Sequence, residues 1–244
     1  MKSFRIRPFQ IVLLAVCFIS CASADEFRFS ALYSDHMVLQ RDVPCRIWGY
    51  TDPGEKVVVK FGGQSVETSA NAEGIWQAVL KPIPISKIGQ SLLAMSQSGK
   101  TLELNDVVVG DVWICSGQSN MGMPAKSTKE IWARKQAEAE YPNIRLFKCD
   151  PLVVRTPTKE VKGGYMEQPN ADVTRDRSYT MGWARCTPTL AGNFTGTGYY
   201  FAEKVHRETE VPIGLLCASI GSVGAECYIS PEAIAASPTG QRCL

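Results

Sequence analysis

Val107-Val108-Val109-Gly110-Asp111-Val112-Trp113-Ile114-Cys115-Ser116-Gly117-Gln118-Ser119-Asn120-Met121 is an almost continuous apolar run that breaks into a polar turn. A run of that kind is what a strand buried on both faces needs, and such strands belong to parallel sheets covered by helices. Downstream, a charged segment from Ser127 to Glu140 predicts a helix with a solvated face, and Ile144 to Cys149 a short strand. Thr156 to Arg177 is polar and predicts loop. Tyr200, Phe201, Ala202 and Val205 mark a helix over Thr197 to Glu208, and Pro212 to Ala218 the next strand. Strand, helix, strand, helix, strand is the order of a parallel α/β sheet.

Upstream the texture differs. Met37–Leu39, Cys45–Gly49, Lys56–Phe61, Ser65–Ser69, Gly74–Leu80 and Ser91–Ser96 predict short strands. Turn signals at Asp52-Pro53-Gly54, Gly62-Gly63 and Asn71-Ala72-Glu73-Gly74 separate them. This half predicts a small antiparallel β-sandwich. The expected organisation is a signal peptide over 1–24, a β-sandwich domain over 25–106 and an α/β domain over 107–244.

The signal assignment rests on Lys2, Arg5 and Arg7, the apolar run from Ile11 to Ile19, and Ala22-Ser23-Ala24 before Asp25. About ten apolar residues do not cross a hydrocarbon core, which takes about twenty, so no membrane span is expected. Cys21 after Phe18-Ile19-Ser20 permits a lipoprotein reading, although the small-residue box before it is poor. Cleavage after Ala24 takes the formal charge from +2 to about −1, a balance that argues against a nucleic-acid partner. The mature part keeps Cys45, Cys115, Cys149, Cys186, Cys217, Cys227 and Cys243. In an exported chain these predict disulfides with at least one thiol left over, and the pairing is open. None has the close spacing of a zinc site, and no metal is expected. Asn193-Phe194-Thr195 is an N-glycosylation triplet.

Ser119 stands just past the carboxyl end of the predicted strand, where open α/β sheets place their ligands. Gly117 lets the backbone turn tightly, so that the Ser119 hydroxyl projects outward and its N–H can face a developing oxyanion. Gln118 and Asn120 offer polar support. A polar turn after a strand accounts for the same five residues without chemistry. The motif is not the Gly-x-Ser-x-Gly elbow, because Met121 takes the last position.

Asp111 through Met121 resembles the first block of the SGNH hydrolase superfamily in the form carried by the sialate O-acetylesterase family. Three further passages resemble that family in the same order. They are Ser34-Asp35-His36-Met37-Val38-Leu39-Gln40-Arg41 with Trp48-Gly49 and Pro53-Gly54-Glu55, then Phe194 to Ala202, then Val211 to Leu216. The resemblance covers nearly the whole mature chain. It implies a β-sandwich followed by a flavodoxin-like α/β sheet, incomplete here, and release of acetate from O-acetylated sialic acids or other acetylated sugars by serine acyl transfer without cofactor or metal. It implies Ser119 as nucleophile, with an oxyanion site made by the N–H of Ser119 and of Gly221. It implies a secreted or lysosomal enzyme.

The sequence departs from the family at four places. Gly221-Ser222-Val223 stands where the family has Gly-Gly-Thr, and Tyr228 where it has Trp, while Glu226 keeps an acidic position. The Asp-x-x-His block that supplies the family's general base has no counterpart among these residues, nor has its later Gln-Gly-Glu-Ser-Asn-like block. The chain has two histidines. His36 falls in the β-domain passage, where a structural role is expected. His206, three residues after Glu203, imitates a dyad but fits a solvated helix contact. Without a base a serine hydroxyl is a weak nucleophile. The expectation is therefore a C-terminally truncated esterase with little or no turnover by itself, the competing reading being a non-catalytic secreted carbohydrate-binding or interaction protein. Trp113 and Trp183 are expected to pack, and Asp111 to cap or pair locally.

Overall fold

The structure, a computed structural model, describes residues 27–149, 182–224 and 228–239. In chain order the elements are β1 (Arg28–Phe29), β2 (Val38–Gln40), β3 (Cys45–Tyr50), β4 (Lys56–Phe61), β5 (Gln64–Ser69), β6 (Ile75–Leu80), β7 (Ser86–Ser96) and β8 (Thr101–Gly117). There follow α1 (Ser119–Gly122), α2 (Glu130–Lys135), β9 (Tyr141–Lys148), β10 (Ala184–Cys186), α3 (Pro188–Asn193), α4 (Gly196–Thr209), β11 (Ile213–Ser219) and α5 (Pro231–Ala235).

A three-stranded sheet, β1-β3-β6, faces a second sheet of eight strands. The second sheet runs β10-β9-β11-β8-β7-β4-β5, with β2 parallel beside β8. Strict alternation along β4 and β6 sends Val57, Val59, Phe61, Trp76, Ala78 and Leu80 inward, between the two layers. Trp76 is wholly buried there, and its ring nitrogen donates to Tyr50 O at 3.2 Å. A sandwich core with alternating strands is what the upstream sequence predicted.

β8 joins the two halves. Its first half pairs with β7 antiparallel and its last seven residues pair with β11 parallel, so the boundary expected at 106/107 falls inside one continuous strand. Each polar residue of the Ser34–Arg41 passage fastens this joint. Ser34 Oγ accepts from Trp183 N at 2.7 Å, and Asp35 Oδ1 from Asn105 N at 2.7 Å. His36 Nδ1 lies 2.7 Å from Asp106 Oδ2. Gln40 Oε1 accepts from Val112 N at 2.8 Å, and Arg41 Nε donates to Asp111 Oδ1 at 2.8 Å.

The structure differs from the sequence prediction in three particulars. The α/β sheet is mixed: β8, β11 and β9 are parallel, but β10 runs antiparallel to β9. The helix expected over 127–140 is broken into a 3-10 turn at Ala125–Thr128, α2, and a second 3-10 turn at Gln136–Glu138. Lys129, at φ 34°, leaves the helical region between the first two pieces. The run expected to be buried on both faces is continuously buried only at Val107, Val108, Val109 and Gly110. α4 covers one face of the later half, while Ile114 on the other face stays 71% exposed. The Thr156–Arg177 loop and the 1–24 signal segment lie outside the described residues.

Candidate active site

Helix α4 sets the depth of the carboxyl end of β8. Its first turn is capped by Thr195, whose hydroxyl accepts from Gly198 N at 3.2 Å. Gly198 then rides directly on β8: a Cβ there would come within 2.7 Å of Cys115 Sγ. The same helix end reaches the turn beyond the strand. Thr197 Oγ1 donates to Asn120 O at 3.4 Å, Thr195 Oγ1 to Met121 Sδ at 3.6 Å, and Gly196 N to Met123 O at 2.8 Å. α1 is thereby held between α4 and the end of β8.

Gly117 has φ +141°, a conformation that glycine alone adopts without strain. The chain reverses there, and Ser119 opens α1, exposed to solvent, as do its neighbours Gln118 and Asn120. The first N–H groups of a helix have no partner within it, so the amide of Ser119 is oriented and available.

The second turn comes from β11. Cys217 pairs in register with Cys115 and Ser219 with Gly117, so the two strands end side by side. Gly221 follows β11 as Ser119 follows β8. A Cβ on Gly221 would sit 3.2 Å from Ser119 Oγ, which places the Gly221 backbone directly against the hydroxyl. Gln118 Nε2 donates to Val223 O, tying the two turns through the residue before the serine. Ser222 holds φ 63°, left-handed for a residue with a Cβ, at the position where the family pattern has glycine.

No protein-family model matches the chain. The sialate O-acetylesterases of Mus musculus and Homo sapiens are 28% and 26% identical to it over 93% of its length. A solved structure, a carbohydrate acetylesterase from Xanthomonas citri, superposes with a TM-score of 0.72 at 28% identity over 88% of this chain. By sequence this chain is similar to sialate O-acetylesterases, and by fold to a carbohydrate acetylesterase. It spans 42% and 43% of the mouse and human proteins and 45% of the bacterial one, less than half of each.

In this chain neither histidine is near Ser119. His36 is bonded to Asp106, eleven residues before Gly117 on β8, roughly 35 Å of strand away. His206 sits at the far end of α4, roughly 15 Å along the helix from Thr195, with Nδ1 2.7 Å from Val211 O. Glu203, its apparent partner in sequence, is only 4% exposed and bonds instead to Lys135 Nζ at 2.6 Å and Arg207 at 3.1 Å. Trp183 packs on Phe147, and Trp113, 45% exposed, meets Phe201 edge-on at 4.9 Å. Asp111 pairs with Arg41.

Among the described residues, no group of three or more His, Cys, Asp or Glu could hold a metal ion, and no helix is long and apolar enough to cross a membrane. Cys45, Cys115, Cys149, Cys186 and Cys217 are free thiols. Burial pushes Cys45 up to about 11 and Cys186 to about 12; burial and then the neighbouring Cys217 push Cys115 to about 11. Cys227, Cys243 and Glu226 lie outside the described residues. At the glycosylation triplet, Asn193 Oδ1 accepts from Lys126 Nζ at 2.7 Å, and Asn193 Nδ2 donates to Thr189 O at 3.0 Å.

Tyr228 is marked by the sequence only as a departure from the family pattern, with no role assigned to it there. Its hydroxyl donates to Gly117 O at 2.5 Å and stands 3.1 Å from Ile220 O, against the backbone of both turns.

Proposed function

We propose that this chain carries the nucleophile half of a carbohydrate O-acetylesterase site. The single observation behind this is that Ser119 and Gly221, each two residues past the end of one of two neighbouring parallel strands, meet at the Ser119 hydroxyl. In this reading Ser119 Oγ attacks the acetyl carbonyl of an O-acetylated sialic acid or other acetylated sugar. The N–H groups of Ser119 and Gly221 hold the oxyanion, the sugar hydroxyl leaves with a proton, and water then releases acetate from the serine ester. Gln118 fixes the spacing of the two turns, and Asn120 anchors α1 to α4. The basic, apolar and small-residue layout of the first 24 residues supports export, to the exterior or to a lysosome.

The proton is the weak point. His36 and His206 are committed elsewhere, so these residues alone have no imidazole for Ser119, and turnover by them is expected to be close to background. The same fact favours the second reading, in which the surface binds acetylated sugar without cleaving it.

Added imidazole separates the two. Purified residues 25–244 are incubated with O-acetylated sialic acid at pH 7.5, with and without imidazole, beside a Ser119→Ala protein. The esterase reading expects imidazole to raise acetate release by the wild-type protein above that of Ser119→Ala, saturating with substrate. Equal rates for the two proteins, with saturable sugar binding intact, would instead establish the binding reading.

A further inference from the structure

The two turns of the site are joined by more than the strand pairing beneath them. Ile220 N donates to Gly117 O at 3.1 Å, a bond that continues the β8–β11 ladder one step past the last paired residues. Over it sits the phenol oxygen of Tyr228. It donates to Gly117 O at 2.5 Å, accepts from Ile220 N at 3.3 Å, and lies 3.1 Å from Ile220 O. One oxygen therefore contacts the backbone two residues before Ser119 and one residue before Gly221.

We propose that Tyr228 is a positioning residue whose hydroxyl clamps the Ser119 turn to the Gly221 turn and so fixes the separation of nucleophile and oxyanion donor. The proposal rests on the reading of those two residues as the reacting pair. The clamp acts through backbone: the contacts of the Tyr228 hydroxyl are to Gly117 O, Ile220 N and Ile220 O.

A phenol suits this task because it both donates and accepts at one atom. An indole, the ring expected at this position from the family pattern, has an N–H donor and no acceptor, so it cannot take the Ile220 N–H. Nor does apolar burial explain the residue. Tyr228 is 41% exposed, so the ring contributes little to the core, and removing the hydroxyl alone leaves no cavity. What the hydroxyl supplies is geometry. A site of this type loses rate when its groups move by fractions of an ångström, because the oxyanion donors act only at about 2.7–3.1 Å.

Tyr228→Phe, in residues 25–244, removes the oxygen and keeps the ring. Two readouts are taken from it. Amide hydrogen exchange, resolved by residue, is expected to quicken at least tenfold at Ile220 and Gly221 and to stay unchanged at Ile213–Cys217, with the melting temperature shifted by less than about 2 °C. In the imidazole-assisted assay, kcat for Ser119-dependent acetate release is expected to fall about tenfold with KM changed less than twofold, as for a lost transition-state contact. Exchange at Ile220 and Gly221 within twofold of wild type overturns the clamp, and so does faster exchange spread evenly through β11. The two claims fail separately. If Ser119→Ala already releases acetate as fast as wild type, the esterase reading falls, while the exchange result still decides whether Tyr228 holds the turns together.

Discussion

Gly221→Ala probes the contact on which the site depends. The added methyl would lie 3.2 Å from Ser119 Oγ, closer than a carbon and a hydroxyl oxygen normally settle. Gly221 is exposed and its φ is outside the left-handed region, so the backbone accepts alanine and the strain falls on the serine. Turning Ser119 off its rotamer by about 30° costs about 0.5–1.5 kcal/mol, roughly a 2- to 10-fold loss of rate. The methyl also fills space that the acetyl oxygen would occupy, an overpacking that costs about 1–3 kcal/mol. Together, at about 1.5–4.5 kcal/mol and about 1.36 kcal/mol per decade, these predict a fall of about 10- to 2,000-fold in imidazole-assisted acetate release. The melting temperature should stay within about 1 °C of wild type, because the turn contributes no buried surface. A rate within twofold of wild type would refute the reasoning, since it would mean that Gly221 does not stand against the reacting oxygen.

Three further outcomes follow from the rest of the fold. Asp106 accepts from Arg145, His36 and Arg185; burial pulls its carboxyl upward, but the hydrogen bonds from those three side chains and the charge of Arg145 hold it well below the usual carboxylate range. A carboxylate lowered on folding stabilises above its unfolded pKa, about 3.9, and loses that contribution as pH falls toward its folded pKa. Acid melts should therefore show wild type losing stability below about pH 4 more steeply than Asp106→Asn. At pH 7 that variant should already be weaker by about 2–4 kcal/mol, discounted from the cost of breaking a fully buried pair because Asp106 is one-fifth exposed. Ser222→Gly should raise the melting temperature by about 1–4 °C: the left-handed conformation costs a Cβ-bearing residue about 1–2 kcal/mol, and glycine's extra chain entropy returns about half of it. Cys45, Cys115, Cys186 and Cys217 should resist a thiol reagent in the folded chain and react in denaturant without any reductant, as counted by mass spectrometry; a requirement for reductant would show that they are paired.

Much of this was legible in the sequence, because local patterns carried it. Alternation in Lys56–Phe61 and the Val107–Val109 run followed directly from which faces are buried. Gly117 announced its own turn. What could not be read were features set by contacts distant in the chain. β10 is three residues long and exists only because β9 offers it an edge. Ile114 looked like core, yet its exposure depends on what lies over that face of the sheet. The disulfides expected from cysteine number failed to appear among the described residues, because these thiols are spent as small apolar groups inside the strands. The Tyr228 clamp spans 111 residues to Gly117, and its sole trace in the sequence was a tyrosine where the family pattern has an indole.

The central claim is that Ser119 Oγ takes the acetyl group. The direct measurement is to mix residues 25–244 with O-acetylated sialic acid and imidazole, quench in acid, and locate any protein-bound acetyl by peptide mass spectrometry. The account predicts acetyl on the peptide that carries Ser119, at the serine oxygen, and none in Ser119→Ala. Acetyl on another residue, or acetate release that proceeds equally without Ser119, would contradict it.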